Sequence, residues 1–141
     1  MRNALIVDDE KIIRKHNCDL LKARGYETFE AENGHAASLM MIGNTKMGLV
    51  LMDISIPVVG GPALVDIIKL CSPETKIVVS SAYPLDDQKR MISNADAYHQ
   101  KSEGKEMLMS RIESAMPKET SHIKKQKRKI SRSCGETRFF R

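Results

Sequence analysis

Short β-rich runs alternate with segments of helical periodicity along most of the sequence, and this alternation constrains the fold more than any other feature. Residues 4–7 form an apolar run that ends at two acids, and residues 49–52 form a second one that ends at Asp53. Continuous apolar runs of this length are typical of strands buried on both faces of a sheet. Five strands alternating with five helices therefore predict an α/β fold, with a parallel sheet covered on both faces.

The same pattern predicts approximate bounds for each element. Strands are predicted at residues 4–7, 26–31, 49–52, 77–79 and 97–100, and helices at residues 10–24, around 36–41, and at 62–70, 86–93 and 105–115. The helix at 86–93 is polar, with Met91 and Ile92 as its main apolar residues. Little apolar packing can hold such a helix in one place, so we expect it to be marginal.

Polar residues follow several of the predicted strands at the point where each strand ends. They are Asp8 and Asp9 after the first strand, Asp53 after the third, Ser80 and Ser81 after the fourth, and Lys101 after the fifth. Ligands of open parallel sheets bind outside the carboxyl ends of the strands. Three acids, a hydroxyl group and a cation are therefore predicted at the edge of the sheet where ligands bind.

This combination of groups fits a metal-assisted phosphoryl site. Three carboxylates at one edge repel each other unless a cation lies among them, and Mg²⁺ prefers oxygen ligands. Carboxylate-bound Mg²⁺ beside a lysine binds the oxygens of a phosphoryl group, and a carboxylate can itself accept the phosphoryl group to give an aspartyl-phosphate. A single acid after a strand is more often a helix cap or a turn residue, so the prediction depends on the joint occurrence of these groups.

The motifs resemble those of one known family. The runs LIVDDE (residues 5–10) and LMDISIP (residues 51–57) with Gly61, the pair Ser81-Ala82 and the run AYHQK (residues 97–101) look like the receiver domain of two-component response regulators. The resemblance covers about residues 2–116, with the motifs in the family's order and spacing. It implies a flavodoxin-like, doubly wound sheet of five parallel strands in the order 2-1-3-4-5, with helices on both faces.

The resemblance also implies a role for each residue of the site. Asp53 would accept the phosphoryl group from a phosphohistidine. Ser81, which Ala82 favours over Ser80, would be the switch hydroxyl, Lys101 would pair with the phosphoryl group, and the rotamer of Tyr98 would report the state. The ligands of Mg²⁺ would be Asp8, Asp9, Asp53 and the backbone carbonyl of Ser55.

By the same resemblance, the chain is a signalling domain rather than an enzyme that acts on a separate substrate. Its phosphodonor would be a sensor histidine kinase or a histidine phosphotransfer protein. We predict that a downstream protein target, or a second copy of the chain in a homodimer, binds the face formed by residues 86–93 (from Asp86 to Ser93), Tyr98 and residues 105–115 (from Lys105 to Ala115).

Three positions depart from the family's pattern. Gly60 stands where the family usually has an acid, Ser102 stands where a proline usually follows the lysine, and the bulky Tyr83 lies two positions after Ser81. A cis peptide bond before a residue other than proline costs about 2.5–4 kcal/mol, so a trans bond between Lys101 and Ser102 is favoured. Tyr83 is expected to shade the site and to change the rate of dephosphorylation.

Two other interpretations are weighed against this one. A phosphatase of the haloacid dehalogenase type also uses an acid at a strand end, but it needs a second acid two residues later, where this chain has Ser55. A degenerate receiver would act as a protein-interaction module without phosphorylation, and its basic tail would bind polyanions. The complete set of Asp8, Asp9, Asp53 and Lys101 argues against this second alternative.

Charge divides the 141 residues into two parts. Residues 1–116 carry a net charge of −2, whereas residues 117–141 hold nine Lys or Arg and two acids, a net charge of +7. We interpret residues 1–116 as the receiver domain and residues 117–141 as a basic, disordered tail. The tail either keeps the protein soluble or contacts nucleic acid or an anionic membrane, with Phe139 and Phe140 as apolar anchors.

Composition excludes several classes of protein. No apolar run approaches the ~18 residues that span a bilayer, and residues 1–15 lack the apolar core of a signal peptide. The three widely spaced cysteines do not resemble a disulfide framework or a zinc site. We therefore predict a reducing compartment, the cytoplasm.

Overall fold

The computed structural model describes residues 2–43 and 46–118, so the predicted tail, except for Pro117 and Lys118, lies outside the described residues. The strands are β1 (Arg2–Val7), β2 (Tyr26–Ala31), β3 (Leu49–Met52), β4 (Lys76–Ser81) and β5 (Ala97–Gln100). The helices are α1 (Lys11–Lys22), α2 (Gly34–Ile42), α3 (Gly61–Cys71), α4 (Leu85–Met91) and α5 (Lys105–Ala115). None of these helices combines the length and the apolar character that crossing a membrane requires.

The five strands form one parallel sheet in the order β2-β1-β3-β4-β5. This order confirms the predicted fold. In the centre of the sheet, β1 pairs on one side with β2 and on the other with β3, so that Val7 lies opposite both Ala31 and Met52. The acids that follow β1 and β3 are therefore neighbours at the carboxyl edge of the sheet.

Helices cover both faces of the sheet, which explains the continuous apolar runs. Leu5 and Val7 pack in a core cluster with buried side chains of α2 and α3. Ala4 and Ile6 point to the opposite face and pack with buried side chains of α1 and α5. Because successive side chains of a strand alternate between faces, each of residues 4–7 must be apolar to be buried on its own side.

The structure changes several predicted bounds. β4 extends to residues 76–81, beyond the predicted 77–79, because Lys76 pairs with β3 and Ser81 pairs with β5. α4 spans Leu85–Met91, not 86–93, because Ile92 has an extended backbone with φ of −133°. A 3-10 turn at Lys101–Glu103 was not predicted. Pairing with the neighbouring strands decides the bounds of β4, and local apolarity does not reveal that pairing.

The loop between β3 and α3 is held against the start of α2. The backbone N–H of Gly34 donates to the carbonyl of Pro57 at 3.1 Å, and a Cβ on Gly34 would lie 1.9 Å from the carbonyl oxygen of Val59. Only a residue without a side chain allows this contact. Val58, in the same loop, has φ of 72°, a conformation that is strained for a β-branched residue. The close contact fixes the loop that carries Ser55.

Candidate functional site

Two buried carboxylates, Asp8 and Asp53, lie side by side at the carboxyl ends of β1 and β3. Asp8 is 3% exposed and Asp53 is 7% exposed. The backbone N–H of Asp53 donates to the carbonyl of Val7 at 3.1 Å. This bond continues the ladder between β1 and β3 by one residue, so both acids are held by the centre of the sheet.

Lys101 reaches both carboxylates from the end of β5. Its Nζ donates to Oδ2 of Asp53 at 2.8 Å and to Oδ2 of Asp8 at 3.1 Å. Burial acts to lower the pKa of Lys101, but the ion pairs with Asp53 and Asp8 outweigh it and raise that pKa above its ordinary value. The ammonium group therefore stays charged and already offsets much of the repulsion that was expected between the acids.

A cavity of about 490 Å³ opens above these groups. Its lining includes Asp9, Asp53, Ser55, Ser81 and Lys101 from the predicted site, together with Tyr83. Tyr83 thus borders the cavity, as expected from its position two residues after Ser81. The peptide bond between Lys101 and Ser102 is trans.

Acidic oxygens at the same edge are close enough to share a metal ion. One carboxylate oxygen each from Asp8, Asp9 and Glu10 lies within 4.8 Å of the others. Hard oxygen donors of this kind fit Mg²⁺. Glu10 was not among the predicted ligands, although its place in a run of three acids was a visible signal. Asp53 is not in this set, and its Oδ1 accepts from the backbone N–H of Ser55 at 3.2 Å.

The two adjacent serines of β4 point to opposite faces of the sheet. Ser81 lines the cavity beside Asp53, and its Oγ accepts a long hydrogen bond, 3.4 Å, from the backbone N–H of Tyr83. Ser80 points into the other layer, where its Oγ lies 2.8 Å from Nδ1 of His99. The alternation of strand side chains thus leaves Ser81 as the hydroxyl at the site.

Comparison with known proteins agrees with this geometry. The family model of the response regulator receiver domain matches residues 4–113. The chain belongs to this family.

This receiver spans only about a third of the length of two of its curated relatives. The response regulator TrrA from Thermotoga maritima, solved in complex with Mg²⁺-BeF, is 30% identical, with a TM-score of 0.73, and the match covers 82% of this chain and all of TrrA. A cyclic di-GMP phosphodiesterase from the same organism is 30% identical over 84% of this chain, which spans only 32% of that relative. Sporulation initiation phosphotransferase F from Bacillus subtilis is 33% identical over 56% of this chain and 63% of its own length.

A buried histidine next to the receiver's site was not singled out from the sequence. His99 is 3% exposed, and its Nε2 lies 2.9 Å from the carbonyl oxygen of Gly104. Since a carbonyl only accepts, Nε2 carries the proton, and Nδ1 accepts from the hydroxyl of Ser80. Burial lowers the pKa of His99, and the nearby cations Arg111 and Lys101 act in the same direction, whereas the Gly104 carbonyl and Glu103 oppose it.

We expect this lowered pKa to make stability depend on pH. A histidine with a lowered pKa in the folded state stays neutral there while the unfolded chain takes up a proton. Protonation therefore favours the unfolded state, and the free energy of unfolding decreases as the pH falls below about 6.5, the ordinary pKa of histidine. The melting temperature of the wild type should therefore fall more steeply between pH 7 and pH 5 than that of His99→Gln. Equal slopes for the two proteins, measured by circular dichroism, would contradict this expectation.

Tyr98 lies away from the cavity, on the side of β5 that faces α4. Its hydroxyl donates to the carbonyl of Ile92 at 2.6 Å and accepts from the backbone N–H of Ala95 at 3.2 Å. Nζ of Lys89 lies 6.0 Å from the centre of its ring. Tyr98 therefore contacts the segment after α4 and does not line the cavity beside Asp53.

Arg14 is a further residue that supports the site. Its guanidinium donates to the backbone carbonyl of Asp8 at 2.7 Å and to Oε1 of Glu30 at 2.9 Å. These bonds join α1, β2 and the end of β1. Glu30 is sixteen residues away in the sequence, so no local pattern could have revealed this contact.

Proposed function

We propose that this receiver takes a phosphoryl group onto Asp53 in a Mg²⁺-dependent reaction and signals through a change at its surface. The observation that carries the proposal is the position of Lys101, whose Nζ bonds to both Asp8 and Asp53 at the edge where Ser81 lines the cavity. The arrangement combines an acceptor, oxygen ligands for a metal ion and two hydrogen-bond donors for phosphoryl oxygens.

In the proposed step, a carboxylate oxygen of Asp53 forms a bond to phosphorus while the bond between phosphorus and the donor's imidazole nitrogen breaks. The electron pair of that bond stays with the imidazole. Asp53 is held rigidly at the end of a central strand, which favours an in-line approach. Lys101 and the Ser81 hydroxyl are placed to donate to the transferred oxygens.

Asp8, Asp9 and Asp53, with the backbone carbonyl of Ser55, are the proposed ligands of Mg²⁺, whose positive charge would offset that of the phosphoryl oxygens. Glu10 is available as a further ligand because its carboxylate lies in the same acidic set. Tyr83 would act as a partial cover, since it is bulky and borders the cavity.

The proposed partners follow from the family. The phosphodonor would be a sensor histidine kinase or a histidine phosphotransfer protein in the cytoplasm, in keeping with the similarity to a sporulation phosphotransferase. The output would use the face of α4, Tyr98 and α5, either for a protein target or for a homodimer. On that face, Met91 and Met107 are each 41% exposed, and such exposed apolar side chains favour an interface.

The test is the intact mass of the full chain after incubation with acetyl phosphate. We expect one added phosphoryl group in the presence of Mg²⁺ and none when the metal is chelated. The alternative is a phosphorylation-independent interaction module whose basic tail, most of which lies outside the described residues, binds polyanions. It predicts no added mass under either condition, and that result would overturn the proposal.

A further inference from the structure

Helix α4 is attached to the sheet in an unusual way. Among its seven residues, all of which the structure describes, Gln88 is the only buried one, and it is 0% exposed. Helices that cover a sheet are normally anchored by an apolar stripe. Of the two apolar residues noted in the sequence of this segment, Met91 is 41% exposed, and Ile92 is buried but lies beyond the helix.

The Gln88 side chain joins three elements through hydrogen bonds. Its Nε2 donates to the carbonyl of Tyr83 at 2.8 Å and to the carbonyl of His99 at 2.9 Å. A longer contact of 3.4 Å reaches the carbonyl of Ser81. One amide on α4 therefore holds both the loop that borders the phosphoryl site and the middle of β5.

The other half of the same amide is unsatisfied. Oε1 of Gln88 is buried and has no hydrogen-bond partner among the described residues. Rotating the amide would not help, because Oε1 would then face the carbonyls of Tyr83 and His99. The gain from two neutral hydrogen bonds and the cost of one buried, unsatisfied acceptor are of similar size. The unsatisfied acceptor thus offsets much of the gain from these hydrogen bonds, and stability alone does not explain a polar residue at this position.

We propose that Gln88 is a positioning residue that transmits movement of the Ser81–Tyr83 loop to α4 and β5. The inference rests on the proposed function, since that function requires Ser81 to move when Asp53 carries a phosphoryl group. Hydrogen bonds are directional, so a shift of the Tyr83 carbonyl either pulls the amide with it or breaks the bond. Both outcomes change how α4 is held.

The contact continues from Gln88 to the proposed output face. Gln88 donates to the carbonyl of His99, and Tyr98 is the residue before His99 in β5. The Tyr98 hydroxyl in turn donates to the carbonyl of Ile92 at the end of α4. Arg111 of α5 donates to the carbonyl of Tyr98. A displacement at Gln88 can thus reach both helices of that face through consecutive contacts.

The experiment compares the full-length wild type with Gln88→Met, which keeps the length of the side chain but removes both donors. Arg90→Met is the matched control, because it places the same residue on the exposed side of the same helix. Amide exchange is measured with and without beryllium fluoride and Mg²⁺. The intact mass after treatment with acetyl phosphate is measured in parallel.

We expect wild type and Arg90→Met to show a ligand-dependent change in exchange at residues 81–84 and at residues 85–99. In Gln88→Met, the change at 81–84 and the phosphoryl uptake should remain, while the change at 85–99 falls to less than half of the wild-type value. A melting temperature close to that of the wild type would separate this effect from a loss of structure. If Gln88→Met does not fold, Gln88→Leu provides the same comparison.

A full change at 85–99 in the folded variant would overturn the role of Gln88, as would the absence of any change there in a wild type that takes up phosphoryl. A wild type that takes up no phosphoryl group would instead overturn the proposed function. The two failures are therefore distinguishable.

Discussion

Replacing Asp53 with Asn should reduce phosphoryl uptake to an undetectable level. An amide has nearly the same shape as a carboxylate but lacks its nucleophilic oxygen, so the variant keeps the cavity and loses the acceptor. Lys101 keeps one of its two ion pairs, with Asp8, so the edge of the sheet should stay assembled. Intact mass after treatment with acetyl phosphate and Mg²⁺ measures the effect.

Asp66→Asn is the matched control for this change. Asp66 is an exposed acid on α3, away from the cavity, and its loss should leave phosphoryl uptake at the wild-type level. Full labelling of Asp53→Asn would show that another acid accepts the phosphoryl group, and peptide mapping of the labelled protein would identify it.

The second large effect is on stability. Lys101→Met should destabilise the metal-free protein by about 3 kcal/mol, because removing one partner of a buried ion pair leaves an uncompensated charge. Here two charges would be left, since the side chains of Asp8 and Asp53 are 4% and 9% exposed. Added Mg²⁺ should recover part of the loss by binding the folded state. Urea denaturation with and without Mg²⁺ measures both effects.

Alkaline pH gives a separate check on the same pair. The pKa of Lys101 is raised above its ordinary value of 10.5. The ion pairs of Lys101 therefore contribute fully to the free energy of unfolding below pH 10.5, and this contribution is lost as the pH rises through the folded-state pKa. The difference in the free energy of unfolding between wild type and Lys101→Met should therefore become smaller above pH 10.5. Lys105→Met, a change at an exposed lysine four residues away, is the control. If Lys101→Met and Lys105→Met were equally stable at pH 7, the ion pairs of Lys101 with Asp8 and Asp53 would not stabilise the fold.

The described part of the fold was largely predictable because its local signals are strong. β3 at 49–52 and α5 at 105–115 have the predicted bounds, since an uninterrupted apolar run ends at an acid in one case and Pro117 follows the helix in the other. The parallel sheet followed from the alternation of elements, and its strand order followed from the family resemblance. The position of Asp53 at a strand end was visible in the sequence for the same reason.

Contacts between distant segments were not predictable in this way. The sequence placed Gln88 in a polar, marginal helix, yet its side chain is buried against β5. It also left His99 as one of four dispersed histidines, although the fold pairs it with Ser80. The periodicity of a segment reports which side chains share a face, but it does not report which polar groups meet across elements.

The sequence by itself determined the order of the elements, the apolar layers and the acids that follow β1 and β3, because these depend on side-chain type and local spacing. The tertiary structure alone decided how those residues meet. Lys101 reaches Asp8 and Asp53 across β4, and Arg14 supports Asp8 while it pairs with Glu30 on β2. These contacts exist because the parallel sheet brings the carboxyl ends of separate strands to one edge, and only the folded chain fixes the distances between the charged atoms there.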